Sequence, residues 1–94
     1  MESRIAVIGI LVYRPAETAG AVQDVLSRHA SIVVGRMGIP YRERGLSVIA
    51  LIVDGTTDQI GALSGQLGRL AGVRVKTAVT SPAGEGVSGH VPEL

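Results

Sequence analysis

Three cations stand at spacings that could bring them to one surface. Arg74 and Lys76 alternate with Val73, Val75, Thr77 and Val79, the period-two pattern of a strand with one face buried. In the segment Ser31 to Ile39, the residues Ile32, Val34 and Arg36 share one parity, which assigns Arg36 to the same open face. Cationic sheet edges around an apolar middle suit a small anionic ligand held between subunits. Edge charges that merely stay solvated and discourage stray strand pairing account for the same pattern. Tyr13 and Arg14 precede Pro15 at the junction of a strand and a helix, where a helix N-terminus can hold an anion; a plain turn explains them equally well. Gly61, Gly65 and Gly68 lie within a helical stretch, where each costs about 1 kcal/mol relative to alanine. At about 100° per residue they share one side, a groove open to close approach by a backbone or a ligand. With 13 glycines in 94 residues, abundance alone is the competing explanation.

Reactive chemistry has little support. No GxSxG, P-loop or HExxH motif occurs, and no Ser/His/Asp set can be assembled. Ser64 lies in Leu-Ser-Gly inside a helix rather than on a nucleophile elbow. The chain has no cysteine, hence no disulfide, thiolate metal site or cysteine nucleophile, and a cytoplasmic home is the default. His29 reads as a last-turn helix residue favoured by the dipole, and His90 stands far from it, without metal-ligand spacing. No catalytic residue, metal or cofactor is expected, and an enzyme is the weaker hypothesis.

Composition narrows the partners. Hydrophobic residues make up 46% of the chain but aromatics only 2%, two tyrosines in all, so the core is aliphatic and stacking on bases is not expected. Nine basic and eight acidic residues give a net charge of +1, without the electrostatic footprint of a nucleic-acid or anionic-membrane binder. The apolar run from Ile5 to Val12 is too short to span a bilayer and reads as a strand.

The elements that must position these residues follow from periodicity. Arg4 to Tyr13 is apolar on both alternating sets, as a central strand is. Pro15 suits a first helical position and Glu17 adds first-turn charge. From there to His29, Val22, Val25, Leu26 and His29 mark one helical face. Ser31 to Ile39 is a β-rich segment that Pro40 should end, as an edge strand. The stretch from Tyr41 to Gly45 reads as a hairpin connection into Leu46 to Asp54, again apolar on both faces, with Asp54-Gly55 as the next turn. Thr56 and Gln59 have capping-box spacing, Ile60, Leu63, Leu67 and Leu70 form one helical stripe, and Gly72 stands where a left-handed residue would end the helix. Residues 1–80 thus form one domain, and the Gly-, Pro- and Ser-rich residues 81–94 a tail.

The order strand, helix, strand, strand, helix, strand predicts an α+β, ferredoxin-like βαββαβ sandwich, a four-stranded antiparallel sheet with two helices on one face. Each helix is expected to cross over between neighbouring parallel strands. The helices leave the opposite sheet face open, yet the first and third strands carry apolar residues there too. An exposed patch of this kind marks an interface, so a homo-oligomer, dimer or tetramer, joined through the open sheet face is expected.

The stretches Arg36-Met37-Gly38-Ile39-Pro40-Tyr41, Ile60 to Gly68 and Gly72-Val73-Arg74-Val75-Lys76 resemble the family of proposed iron-only hydrogenase system regulators, over about residues 4 to 80. More distantly, the order of elements resembles ACT-like regulatory domains and the ferredoxin-like C-terminal domain of the nickel-responsive repressor. The resemblance implies a stand-alone, oligomeric, ACT-like regulatory domain with no established reaction. The repressor's metal-binding histidines and cysteine have no counterpart in the core strands here, and Arg14-Pro15-Ala16 keeps only the proline of the pattern seen in amino-acid-binding ACT domains. No DNA-binding arm or helix-turn-helix is present, so a transcriptional role requires a partner. The expectation is a non-catalytic regulatory module; the alternatives are a structural oligomerisation module and a small enzyme with an intersubunit site.

Overall fold

The computed structural model describes residues 2–80; the tail expected over residues 81–94, with His90, lies outside the described residues. The elements are β1 (Arg4–Tyr13), α1 (Pro15–Arg28), β2 (Val33–Tyr41), β3 (Leu46–Gly55), α2 (Thr57–Gly68) and β4 (Val73–Val79). They form one four-stranded sheet in the order β2-β3-β1-β4 with every ladder antiparallel. This is the ferredoxin-like α+β arrangement. One detail of the expected connections is corrected: the parallel strands that each helix joins are not neighbours. β3 lies between β1 and β2, and β1 lies between β3 and β4. The two strands that are apolar on both faces thereby take the two central places.

Alternation along the central strands builds the core. Ala6, Ile8, Ile10 and Val12 of β1 and Ile49, Leu51 and Val53 of β3 turn to the helices, where they meet Val22, Val25 and Leu26 of α1 and Ile60, Leu63 and Leu67 of α2. No charged or polar residue is buried among the described residues, so the interior is held by dispersion and the hydrophobic effect alone.

Helix α2 starts as its sequence dictates. The Thr56 Oγ1 accepts from the Gln59 N–H at 3.1 Å while the Thr56 N–H donates to Gln59 Oε1 at 2.8 Å, the reciprocal capping box. Thr56→Ala is expected to destabilise the domain by about 1 kcal/mol, read as a lower midpoint at unchanged slope in urea denaturation. The same glutamine explains why the turn expected at Asp54-Gly55 is instead the end of β3. A Cβ on Gly55 would lie 2.9 Å from Gln59 Oε1 and 3.1 Å from Ile32 Cγ2, so glycine lets the strand run directly into the cap.

Other boundaries shift for local reasons. β2 begins two residues later than expected, after a single 3-10 turn over Ala30–Ile32, and runs through Pro40 to Tyr41. Proline is tolerated because β2 is an edge strand, with one side free of ladder bonds. Helix α2 ends at Gly68, before Leu70; Gly72 adopts the left-handed φ of +76° within the turn into β4.

Candidate functional site

The pleat gives the open sheet face a definite layout. Read across β2, β3, β1 and, where it continues, β4, its successive rows are Tyr41, Leu46 and Tyr13; then Ile39, Val48, Leu11 and Arg74; then Met37, Ala50, Gly9 and Lys76; then Gly35, Ile52, Val7 and Ala78; and at the end Asp54 and Ile5, where the exposed Asp54 puts a carboxylate at the margin of the face. Ile5, Val7, Met37, Ile39, Tyr41 and Ile52 are each about half exposed, and Leu46 is buried outside the main core. Leu46 pairs with Tyr13 on one side and Tyr41 on the other, the only two aromatic residues in the chain. The row containing Ala50 and Gly9 is low, with Met37 projecting at its end.

Arg74 and Lys76 occupy the β4 edge of this face, as expected. The Arg74 guanidinium carbon lies 5.7 Å from the centre of the Tyr13 ring, within cation–π range. Arg36 does not join them. The β2–β3 register slips between Val33 and Gly35, a β-bulge that adds one residue and reverses the parity of everything after it. Arg36 therefore pairs with Leu51, on the helix side, where its Nη1 donates to Gln23 Oε1 of α1 at 3.2 Å. The expected pair of cationic edges is thus corrected to one cationic edge, and the β2 edge of the open face is apolar. The signal for the bulge was Gly35, since an isolated glycine in a strand pattern often marks one, but parity counting ignored it.

Tyr13 and Arg14 line an open hollow of about 830 Å³ together with Glu17, Thr18 and Gly72, at a junction whose backbone is closely tied. Arg14 has left-handed dihedrals, φ 49° and ψ 61°, and gives α1 no side-chain cap. Thr18 Oγ1 donates to the Tyr13 carbonyl at 2.9 Å and to the Arg14 carbonyl at 3.1 Å. The Tyr13 N–H in turn donates to the Gly72 carbonyl at 2.7 Å. A Cβ on Gly72 would meet both Thr18 Oγ1 and the Tyr13 carbonyl at 3.4 Å, so the β1–α1 and α2–β4 connections are closely fastened together. The exposed Glu17 in the first turn of α1 adds negative charge where an anion would sit.

The glycine stripe belongs to the helix layer, but its last member, Gly68, lines a hollow of about 740 Å³ at the β4 edge together with Ser64, Arg74 and Lys76. Gly61 and Gly68 are exposed and a Cβ at either meets nothing within 4 Å; at Gly65 it meets only the end of the Arg69 side chain at 3.6 Å. No packing inside one protomer requires these glycines. Gly61→Ala is accordingly expected to raise stability by about 0.5–1 kcal/mol through helix propensity and reduced unfolded-state entropy, measured as an increase in urea midpoint. His29 is structural in its contacts: its Nε2 lies 2.9 Å from Gln66 Oε1, tying the end of α1 to α2. Among the described residues no group of three or more His, Cys, Asp or Glu is placed to hold a metal ion, and no helix is long and apolar enough to cross a membrane.

Residues 4–77 match the TM1266-like family, described as proposed iron-only hydrogenase system regulators. The chain belongs to this family. Among solved structures it is similar to the uncharacterized protein TM1266 from Thermotoga maritima, with 35% identity, a TM-score of 0.82, and coverage of 85% of this chain and 100% of that one. No curated protein matches the chain. For this TM1266-like domain the match runs from the start of β1 into β4, and includes the row of Tyr41, Leu46 and Tyr13 and the residues Arg36, Arg74 and Lys76. The RMGIPY stretch of β2 serves two surfaces at once: Met37, Ile39 and Tyr41 face the open side, while Arg36, Gly38 and Pro40 turn toward α1.

Proposed function

We propose that this chain is a non-catalytic regulatory module of an iron-only hydrogenase system, working in the cytoplasm as a homo-oligomer whose unit is a pair of protomers joined through the open sheet faces. The observation that carries the assembly is the apolar open face itself. Burying a large aliphatic side chain fully is worth about 1.5–3 kcal/mol, so the six half-exposed side chains on it would each contribute about 1 kcal/mol, and a symmetric pair about 12 kcal/mol in all. Association costs roughly 4–15 kcal/mol. The balance favours a pair only if most of the face is covered, which argues for face-to-face contact rather than a glancing one. The face also carries both a projecting Met37 and a low row at Ala50 and Gly9, as a self-complementary two-fold interface requires.

The regulatory part of the reading rests on the family. A net charge of +1 and 2% aromatic residues give this module no footprint for DNA, so it acts through a partner, and Arg74 and Lys76 at the rim supply charge for an acidic partner or ligand. In the host that encodes the chain, replacement by a folded variant that cannot pair is expected to change iron-only hydrogenase transcript and activity. Unchanged levels of both would leave a structural oligomerisation module as the better account.

A further inference from the structure

On the helix side, β2 is left largely uncovered: α1 packs on β1 and α2, and α2 on β1, β3 and β4. The gap between α1 and β2 is a cleft of about 290 Å³ whose floor is the edge of the core at Val12, Val22 and Ile49 and whose outer wall is Gly38, Ile39 and Pro40. A second hollow of about 250 Å³ is lined by Leu26 and Leu51. Arg36 lines both, and among the described residues no other ionisable side chain lines either. Its guanidinium donates to Gln23 Oε1 on the cleft's α1 side, and a guanidinium has five N–H donors, so the others can serve a carboxylate in fork geometry. Gly38 keeps the wall thin, since a Cβ there meets nothing within 4 Å.

The geometry points to this cleft as a binding site for a small monocarboxylic acid with an apolar body, its carboxylate on Arg36 and its hydrocarbon part along the aliphatic floor. The charge pattern selects the class. Arg36, exposed at the cleft's margin, favours one anionic group, Val12, Val22 and Ile49 favour an apolar body, and an ammonium would face a like charge. The parity reversal at the bulge is what makes the site, because it moves Arg36 from the oligomer face into the cleft and aligns it with Gly38 and Pro40. The site lies within one protomer and does not depend on assembly.

Amide NMR titration of the full chain with hexanoate tests this, with hexanol and hexylamine as matched probes. Hexanoate is expected to give saturable shifts at Gln23, Arg36 and Gly38 at millimolar concentration. Arg36→Met should weaken it about tenfold while leaving the weaker hexanol response unchanged. Gly38→Leu, which fills the cleft on an exposed strand edge, should abolish both responses while the remaining spectrum stays dispersed. Hexanoate should bind a monomeric open-face variant as it binds the native chain, which separates this site from the assembly proposed above. No saturable shift, a response equal to that of hexanol or hexylamine, shifts confined to the open sheet face, or no effect of Arg36→Met would each overturn the proposal.

Discussion

Ile52→Lys is expected to convert the protein to a monomer without unfolding it. Ile52 lies on the third strand, one of the two central ones, flanked on the open face by Gly35 and Val7, with about half of its side chain in water. In a single protomer the substitution removes about 1 kcal/mol of partial burial and strand preference, and the long lysine stem can carry its charge to solvent. In a face-to-face pair the same charge is taken out of water twice, once from each protomer, against Val and Ile side chains, and Asp54, two residues along β3 on the same face, can offset only part of that cost. Burying an unpaired charge is resisted by several kcal/mol, so the dissociation constant should rise at least about 100-fold. Ile52→Thr keeps the β-branched shape and adds no charge, and should weaken pairing by much less. Sedimentation velocity of the three proteins, with far-ultraviolet circular dichroism to verify the fold, checks both expectations; a dimeric Ile52→Lys protein would place the interface elsewhere.

Leu63→Ala should have the largest effect on folding. Leu63 is fully buried on α2, among Ile60 and Leu67 from the same helix and the inward residues of β1 and β3. Truncation removes transfer free energy and leaves a cavity, together about 2–5 kcal/mol, against a total stability of about 5–15 kcal/mol for a domain of this kind. The aliphatic core has no aromatic ring or flexible methionine to shift into the space, so the loss is expected toward the upper part of that range. Measured in the Ile52→Lys background, where stability no longer depends on protein concentration, the urea midpoint should fall steeply while the slope is retained. A loss below about 1 kcal/mol would mean that α2 is not the structural half of the core described here.

The sandwich was legible in the sequence because its signals are local and repeated. β1 could be read to its end residues since both of its alternating sets are apolar, α2 announced its start through Thr56 and Gln59, and β4 showed its two faces in the alternation of Val73, Val75 and Thr77 with Arg74 and Lys76. The open apolar face followed from the same counting. What escaped was non-local or single-residue geometry. Arg36 was assigned to the wrong face because one bulged residue near Val34 inverts every later position, and a parity argument has no way to feel an insertion of one. The cleft beside α1 was missed for the same reason, since it exists only once Arg36, Gly38 and Pro40 share a side. The fastening of Tyr13 to Gly72 joins residues far apart in the chain, and no spacing rule reports it. The glycines of α2 were a real departure from helix propensity, but the space around them is open, so their pattern alone assigns them no contact.

The account stands chiefly on the open sheet face being an interface between copies of this chain. Sedimentation equilibrium of the native chain across the micromolar range tests that most directly. The expected result is a mass at least twice the 9.7 kDa of one chain, falling to that of one chain in Ile52→Lys. A native protein that stays at one chain mass throughout the range would contradict it.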